Sequence, residues 1–309
     1  MTTGQIAREI SYASSASTRA GRAMIRVMEN ASGRIGLIRR VAGYDAEVAA
    51  GRDFWQVVAE RYGIEIDVFA GSIANIPATG PVVVVANHPF GVLDGLILGR
   101  LLSERRGGEF RILAHRVFRR SADLEKVILP ISFDETREAM ALNLQTRAEA
   151  LRYLGDGGAV GIFPGGTVST APKPLGRPMD PTWRGFAAKM IARSGATVVP
   201  VYFDGANSRL FQVASHLHTT LRMGLLIREF RAGIRQPVRI AVGAPIPAEA
   251  LAPLRGDSEA LLRMLRHATY ALSPRPVDAD ALGFEFEMRY RKARAEPCDR
   301  RAAGRRSDG

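Results

Sequence analysis

The sequence predicts an α/β fold, a mainly parallel central sheet flanked by helices. Two observations carry that reading. Short β-branched and apolar runs alternate with segments of helical periodicity along most of the 309 residues, as expected of strands joined by crossover helices. Val82 to Val85 is four consecutive valines between Pro81 and Asn87, a short run apolar on both faces and therefore a strand inside the sheet.

In chain order, residues 1–42 form a basic amphipathic segment. Arg8, Arg19, Arg22, Arg26, Arg34, Arg39 and Arg40 are interleaved with apolar residues, and no acid occurs between Glu9 and Glu29. Such a stretch can lie at an anionic membrane interface or pack on the domain as a solvated helix. Phe54 to Tyr62 has helical spacing and stops at Gly63. Ile64 to Phe69 reads as a strand, Val82 to Val85 as the central strand, and Val92 to about Leu102 as a helix. Phe110 to Ala114 and Val127 to Ile131 read as strands, and Glu135 to Leu154 as a helix stopped by glycines 155–158. Ala159 to Phe163 is another strand, Arg184 to Arg193 a helix, Thr197 to Phe203 a strand. Leu210 to Phe230 is a basic and apolar stretch, followed by Val238 to Val242 as the last strand and Ser258 to Leu272 as the last helix. One α/β domain is expected over 43–288, with a basic solvated tail over 289–309.

A net charge of +12 favours anionic partners: nucleic acid, anionic lipid or an acidic carrier protein. Nucleic acid is set aside, because no helix-turn-helix, zinc spacing or aromatic strand platform accompanies the charge. The single cysteine, Cys298, excludes an intramolecular disulfide. No apolar run approaches the ~18 residues of a spanning helix, and no secretory signal pattern opens the chain. The expected location is cytoplasmic. His115, His216 and His218 lack neighbouring carboxylates in a ligand pattern, so no metal is expected.

Two stretches carry chemistry. Just past the valine strand come Asn87, His88 and Pro89, and then Asp94 in the first turn of a helix. Two readings fit this spacing. Asp94 stabilises the helix N-terminus while His88 bonds to backbone; or Asp94 accepts from one ring nitrogen of His88 and leaves the other free as a base. The second stretch, Phe163-Pro164-Gly165-Gly166-Thr167-Val168-Ser169, leaves another strand through adjacent glycines and hydroxyls. It is either a tight turn or a loop whose N–H and O–H groups meet a ligand oxygen. It lacks both the phosphate-loop ending and the G-x-S-x-G nucleophile elbow.

Taken in order with Val199-Pro200-Val201, these motifs resemble the lysophospholipid (glycerolipid) acyltransferase family over about residues 64–247. The His-x5-Asp spacing is similar to that of its hemolysin-like subgroup. The resemblance implies a glycerolipid-acyltransferase-like fold and an acyltransferase. Its substrates would be an acyl thioester, on coenzyme A or an acidic acyl carrier protein, and the hydroxyl of a lysolipid. His88 would be the general base and Asp94 would orient it, with no metal or other cofactor. Asn87, Phe163, Pro164, Gly165, Gly166, Thr167 and Ser169 would line the substrate site, with backbone N–H groups near Gly166 in the polar cradle. The implied location is peripheral, on the inner face of the cytoplasmic membrane. Where the family has Glu and Arg in the loop, this chain has Gly165 and Val168. Lys173, Arg177 or Arg184 is then the candidate cation for an acceptor bearing phosphate or carboxylate, such as a lyso-aminolipid. A non-catalytic lipid-binding protein on the same fold is the alternative, and it predicts lipid binding insensitive to His88 and Asp94.

Overall fold

In the computed structural model of the chain, which describes residues 11–13, 16, 18–115, 122–132, 134, 136–287 and 291, the amphipathic N-terminal segment folds onto the domain. Helices α1 (Arg19–Ala31) and α2 (Arg34–Val41) bury Ile25, Leu37, Ile38 and Val41. Glu29 is wholly buried and accepts from the Tyr12 N–H at 2.5 Å and the Ser11 hydroxyl at 2.7 Å. The expected boundary at residue 42 therefore does not separate two bodies among the described residues. Residues 1–10, Arg116 to Ser121 and, apart from Arg291, the expected tail with Cys298 lie outside the described residues.

Helix α3 (Tyr44–Ala49) and helix α4 (Phe54–Tyr62) lead into strand β1 (Ile66–Gly71). Strand β2 (Val82–Ala86) is followed by helix α5 (Val92–Arg106) and strand β3 (Phe110–His115). The short helix α6 (Ala122–Glu125), strand β4 (Ile128–Ile131), helix α7 (Arg137–Gly155) and strand β5 (Ala159–Ile162) come next. Helix α8 (Gly185–Ser194) precedes strand β6 (Thr197–Asp204). The stretch after β6 becomes two helices, α9 (Arg209–Leu217) and α10 (Thr219–Gly233), capped by Ser208 and His218. Strand β7 (Val238–Val242), the short helix α11 (Ala248–Leu251) and helix α12 (Ser258–Tyr270) complete the order.

The seven strands form one sheet in the order β1-β7-β6-β2-β5-β3-β4. Every pairing is parallel except β6 with β7, so the expectation of a mainly parallel sheet flanked by helices holds. Strand β2 sits between β5 and β6, and all five of its residues are at most 1 % exposed. Val82, Val84 and Ala86 pack with Leu93, Ile97 and Leu101 of α5, while Val83 and Val85 pack with α7, α8 and α12. Full burial of one such valine is worth about 1.5–3 kcal/mol, so the valine run anchors both layers of the core. The same anchoring positions residues 87–89, which leave the sheet at the carboxyl end of its most buried strand.

Candidate active site

The turn from β2 into α5 depends on Gly91, which adopts φ +91°, a region that side chains other than glycine resist. That turn brings the Asp94 carboxylate back under the chain it has just left. Asp94 Oδ2 accepts from the backbone N–H groups of Phe90 at 2.8 Å and Gly91 at 2.9 Å, and lies 3.0 Å from His88 Nδ1. The carboxylate therefore holds the helix start and lies beside the imidazole. Despite that approach His88 Nδ1 completes no hydrogen bond, and Asp94 Oδ1 is likewise buried without a partner. The imidazole stacks on Phe163, ring centres 4.2 Å apart, and keeps 17 % of its side-chain surface exposed. With Nδ1 turned to Asp94, Nε2 is the nitrogen left to meet a substrate.

Asp94 is wholly buried, and burial raises its pKa, opposed by His88 and the two N–H groups. A carboxyl whose folded pKa is raised loses relative stability as pH climbs from the ordinary value of about 3.9 through the folded one. Asp94→Asn is accordingly expected to gain in melting temperature relative to the unsubstituted chain as pH is raised from about 4 to 7. Differential scanning calorimetry across that range checks it, and a difference that stays flat would show that the partners of Asp94 cancel its burial.

The glycine loop is held against His88. The Ser169 N–H donates to the His88 carbonyl at 2.7 Å, and the Gly166 N–H closes a turn on Phe163 O at 2.9 Å. Gly166 thus spends its own donor inside the turn, and the polar cradle expected there has to come from its neighbours. The N–H groups of Thr167 and Val168 make no hydrogen bond among the described residues.

Several expected substrate contacts are committed elsewhere. The Asn87 amide clamps β2 to β6, donating to Phe203 O at 2.9 Å and accepting from Phe203 N–H at 2.7 Å. The Ser169 hydroxyl donates to Asp180. Arg184 is buried and engages Glu285 through two bonds, at 2.9 and 2.8 Å, and Glu287 at 2.7 Å. Its charge is neutralised inside the protein, which corrects the expectation that it serves an acceptor anion. Lys173 and Arg177 lie on the exposed loop beyond Ser169. His216 Nε2 bonds to Ala171 O, and His218 Nδ1 accepts at the start of α10, so both have structural work. No group of three or more His, Cys, Asp or Glu among the described residues is placed to hold a metal.

Two residues that the motifs do not include complete the site. Asp180 is wholly buried; its Oδ1 accepts from the His88 N–H at 3.1 Å and from the Ser169 hydroxyl, and its Oδ2 from Trp183 Nε1 at 3.0 Å. A Cβ at Gly165 would stand 3.3 Å from Asp180 Cβ, so this carboxylate crowds the space where the family's loop carries Glu. Arg222 of α10 donates to Thr170 Oγ1 at 2.7 Å, Ser215 Oγ at 2.9 Å, Val168 O at 3.0 Å and Thr167 Oγ1 at 3.3 Å. It is 4 % exposed, lies over the rings of Phe286 and Phe211, and pairs with no carboxylate among the described residues. Burial pushes its pKa down to about 9. A guanidinium thus reaches the loop from a distant helix where the family's loop has its own Arg. Arg222→Met removes four hydrogen bonds together with a desolvated charge, and these oppose each other, so stability is expected to change by only about 1–2 kcal/mol. Activity is expected to fall about 10²-fold, the usual cost of a small misplacement of the reacting groups; denaturation and initial rates on one preparation separate the two.

The family profile described as Acyltransferase matches residues 68–204, from β1 through the end of β6 and including His88, Asp94 and the glycine loop. Among curated proteins, a lyso-glycine lipid O-acyltransferase of Phocaeicola vulgatus is 24 % identical over 209 residues, 66 % of this chain and 72 % of that protein. One of the same name from Bacteroides thetaiotaomicron is 26 % identical over 204 residues, 64 % of this chain and 71 % of that protein. Over β1 to β6 the chain is similar to acyltransferases that act on lipids. The chain also aligns with the crystal structure of the 1-acyl-sn-glycerophosphate acyltransferase of Thermotoga maritima, over 84 % of this chain and all of that one, at 14 % identity and TM-score 0.45.

Proposed function

We propose that this acyltransferase moves a fatty acyl group from a thioester of coenzyme A or acyl carrier protein to the hydroxyl of a lysolipid, with His88 as general base. The observation that carries the reading is the 3.0 Å approach of His88 Nδ1 to a wholly buried carboxylate. A carboxylate held there orients the ring and stabilises the imidazolium that forms. Nε2 takes the acceptor's hydroxyl proton as its oxygen attacks the thioester carbon. The N–H groups of Thr167 and Val168 are the donors offered to the resulting oxyanion. Collapse breaks the carbon–sulfur bond, and the departing thiolate takes the proton back from the imidazolium. Protons and electrons balance with the thioester as the only co-substrate.

An acceptor with a carboxylate headgroup, a lyso-aminolipid, fits best. The support is that both curated relatives are named for a lyso-glycine lipid. No helix among the described residues is long and apolar enough to cross a membrane. Met24, Val27 and Ile35 are about half or more exposed on α1 and α2, beside the exposed Arg19, Arg22 and Arg39. That face supports a peripheral position on an anionic leaflet, in this reading the inner face of the cytoplasmic membrane.

The test offers labelled acyl carrier protein and acyl-coenzyme A with a panel of lysolipids, with and without Asp94→Asn. Transfer to a carboxylate-bearing acceptor that drops in the variant supports the reading. Absence of transfer with every donor, alongside unchanged binding to anionic vesicles, favours a lipid-binding protein without chemistry.

A further inference from the structure

A cleft opens beside the 87–89 turn. Asn87 and Pro89 line it, whereas the ring of His88 between them stacks away on Phe163. Its volume is about 420 Å³. The acyl transfer proposed for His88 uses nothing in it.

Its polar groups come from three separate stretches of chain. Tyr202 of β6 is 5 % exposed, yet its hydroxyl makes no hydrogen bond among the described residues and the residue lines the cleft. Tyr270, at the end of α12, accepts the Asp180 N–H at 3.1 Å and has its own hydroxyl proton left to give. Arg177 reaches in from the loop after the glycine turn, one nitrogen tied to Pro276 O at 2.9 Å. Arg275 comes from the segment beyond α12 and holds Asp204 Oδ1 at 3.2 Å. Asp204 is the one carboxylate among the lining residues, and its other oxygen is taken by Arg239 at 2.7 Å. Two guanidiniums with donors to spare and two tyrosine hydroxyls thus face a space whose acid is already neutralised.

We propose that this cleft binds a phosphate group, that of the acyl donor's phosphopantetheine arm. Donors converging from three directions suit the tetrahedrally arranged oxygens of a doubly linked phosphate better than the two coplanar ones of a carboxylate. The arm is a long flexible chain between phosphate and thioester. A donor whose phosphate rests here lays that chain over the 87–89 turn and delivers its thioester to the His88 side. The identity of the donor rests on the proposed acyl transfer; the phosphate chemistry of the cleft does not.

The experiment is calorimetric titration of the full chain with coenzyme A, with pantetheine lacking the phosphate, and with phosphatidylglycerol vesicles. Coenzyme A carries no acyl group, so no turnover intervenes. Replacing charged donors to one phosphate, as in Arg177→Gln with Arg275→Gln, is expected to weaken coenzyme A by about 10–100-fold. Tyr202→Phe is expected to weaken it several-fold, with pantetheine unaffected by any of the three. Weakening of vesicles alone overturns the assignment to the acyl donor and gives the phosphate chemistry of the cleft to a lipid headgroup. Coenzyme A that binds the variants as it binds the native chain, or does not bind at all, overturns the proposal. Acyl transfer is followed separately: a chain that binds coenzyme A through the cleft but transfers nothing keeps the site and loses the proposed reaction.

Discussion

His88→Ala is expected to lower acyl transfer by about 10²–10⁴-fold, the usual contribution of a positioned general base, with little change in stability. The asymmetry stems from where the ring sits. Its backbone, not its imidazole, carries the structural bonds: the N–H to Asp180 and the carbonyl from Ser169 survive truncation. The ring loses its stacking on Phe163 and its approach to Asp94. Asp94 keeps the N–H groups of Phe90 and Gly91, so its carboxylate is not stranded. Single-turnover rates with each donor, beside urea denaturation of the same sample, check both halves. Comparable transfer by the variant would remove His88 as the base.

The opposite pattern is expected at Asp180. Asp180→Ala strands three buried donors at once, the His88 N–H, the Ser169 hydroxyl and the Trp183 indole N–H. A buried polar group left unpaired costs about 1–3 kcal/mol, so a total of about 3–5 kcal/mol is expected, in the range where single substitutions become exceptional. Ser169→Ala breaks only one of these contacts and is expected to cost about 1 kcal/mol. The comparison by equilibrium denaturation separates a hub from an ordinary buried hydrogen bond: equal losses in the two variants would show that the neighbours of Asp180 find water or other acceptors.

Most of the sheet was legible from sequence because its strands are short, β-branched and bounded by turn residues, as Val82–Ala86 and Thr197–Asp204 are. The break at His218 was not, because the apolar residues of α9 and α10 run on across it and only the caps mark two helices. Strand direction was not legible for β7 either, since Val238–Val242 has the same apolar character as its parallel neighbours. At the site, His88 and Asp94 could be paired because they are six residues apart, on one turn. Asp180 and Arg222 meet the loop only through tertiary packing. One faint signal pointed to Asp180: it is the only acid between Asp156 and Asp204, and a lone carboxylate in so apolar and basic a stretch has few places to go but inward. Arg184 misled for the converse reason, since the acids that neutralise it, Glu285 and Glu287, lie about a hundred residues on.

The place of β1 in the sheet has a bearing on how the chain is made. Its one sheet neighbour is β7, and Asp67 meets Arg239, 172 positions further along the chain. At about 5–20 residues per second, a ribosome needs on the order of 10–30 s between emitting the two. Through that interval β1 emerges with both of its ladders open, as an unpaired edge of the kind that templates association between nascent chains. Asp67, alternating out of the strand with 50 % of its side chain exposed, places a charge on that edge while it waits.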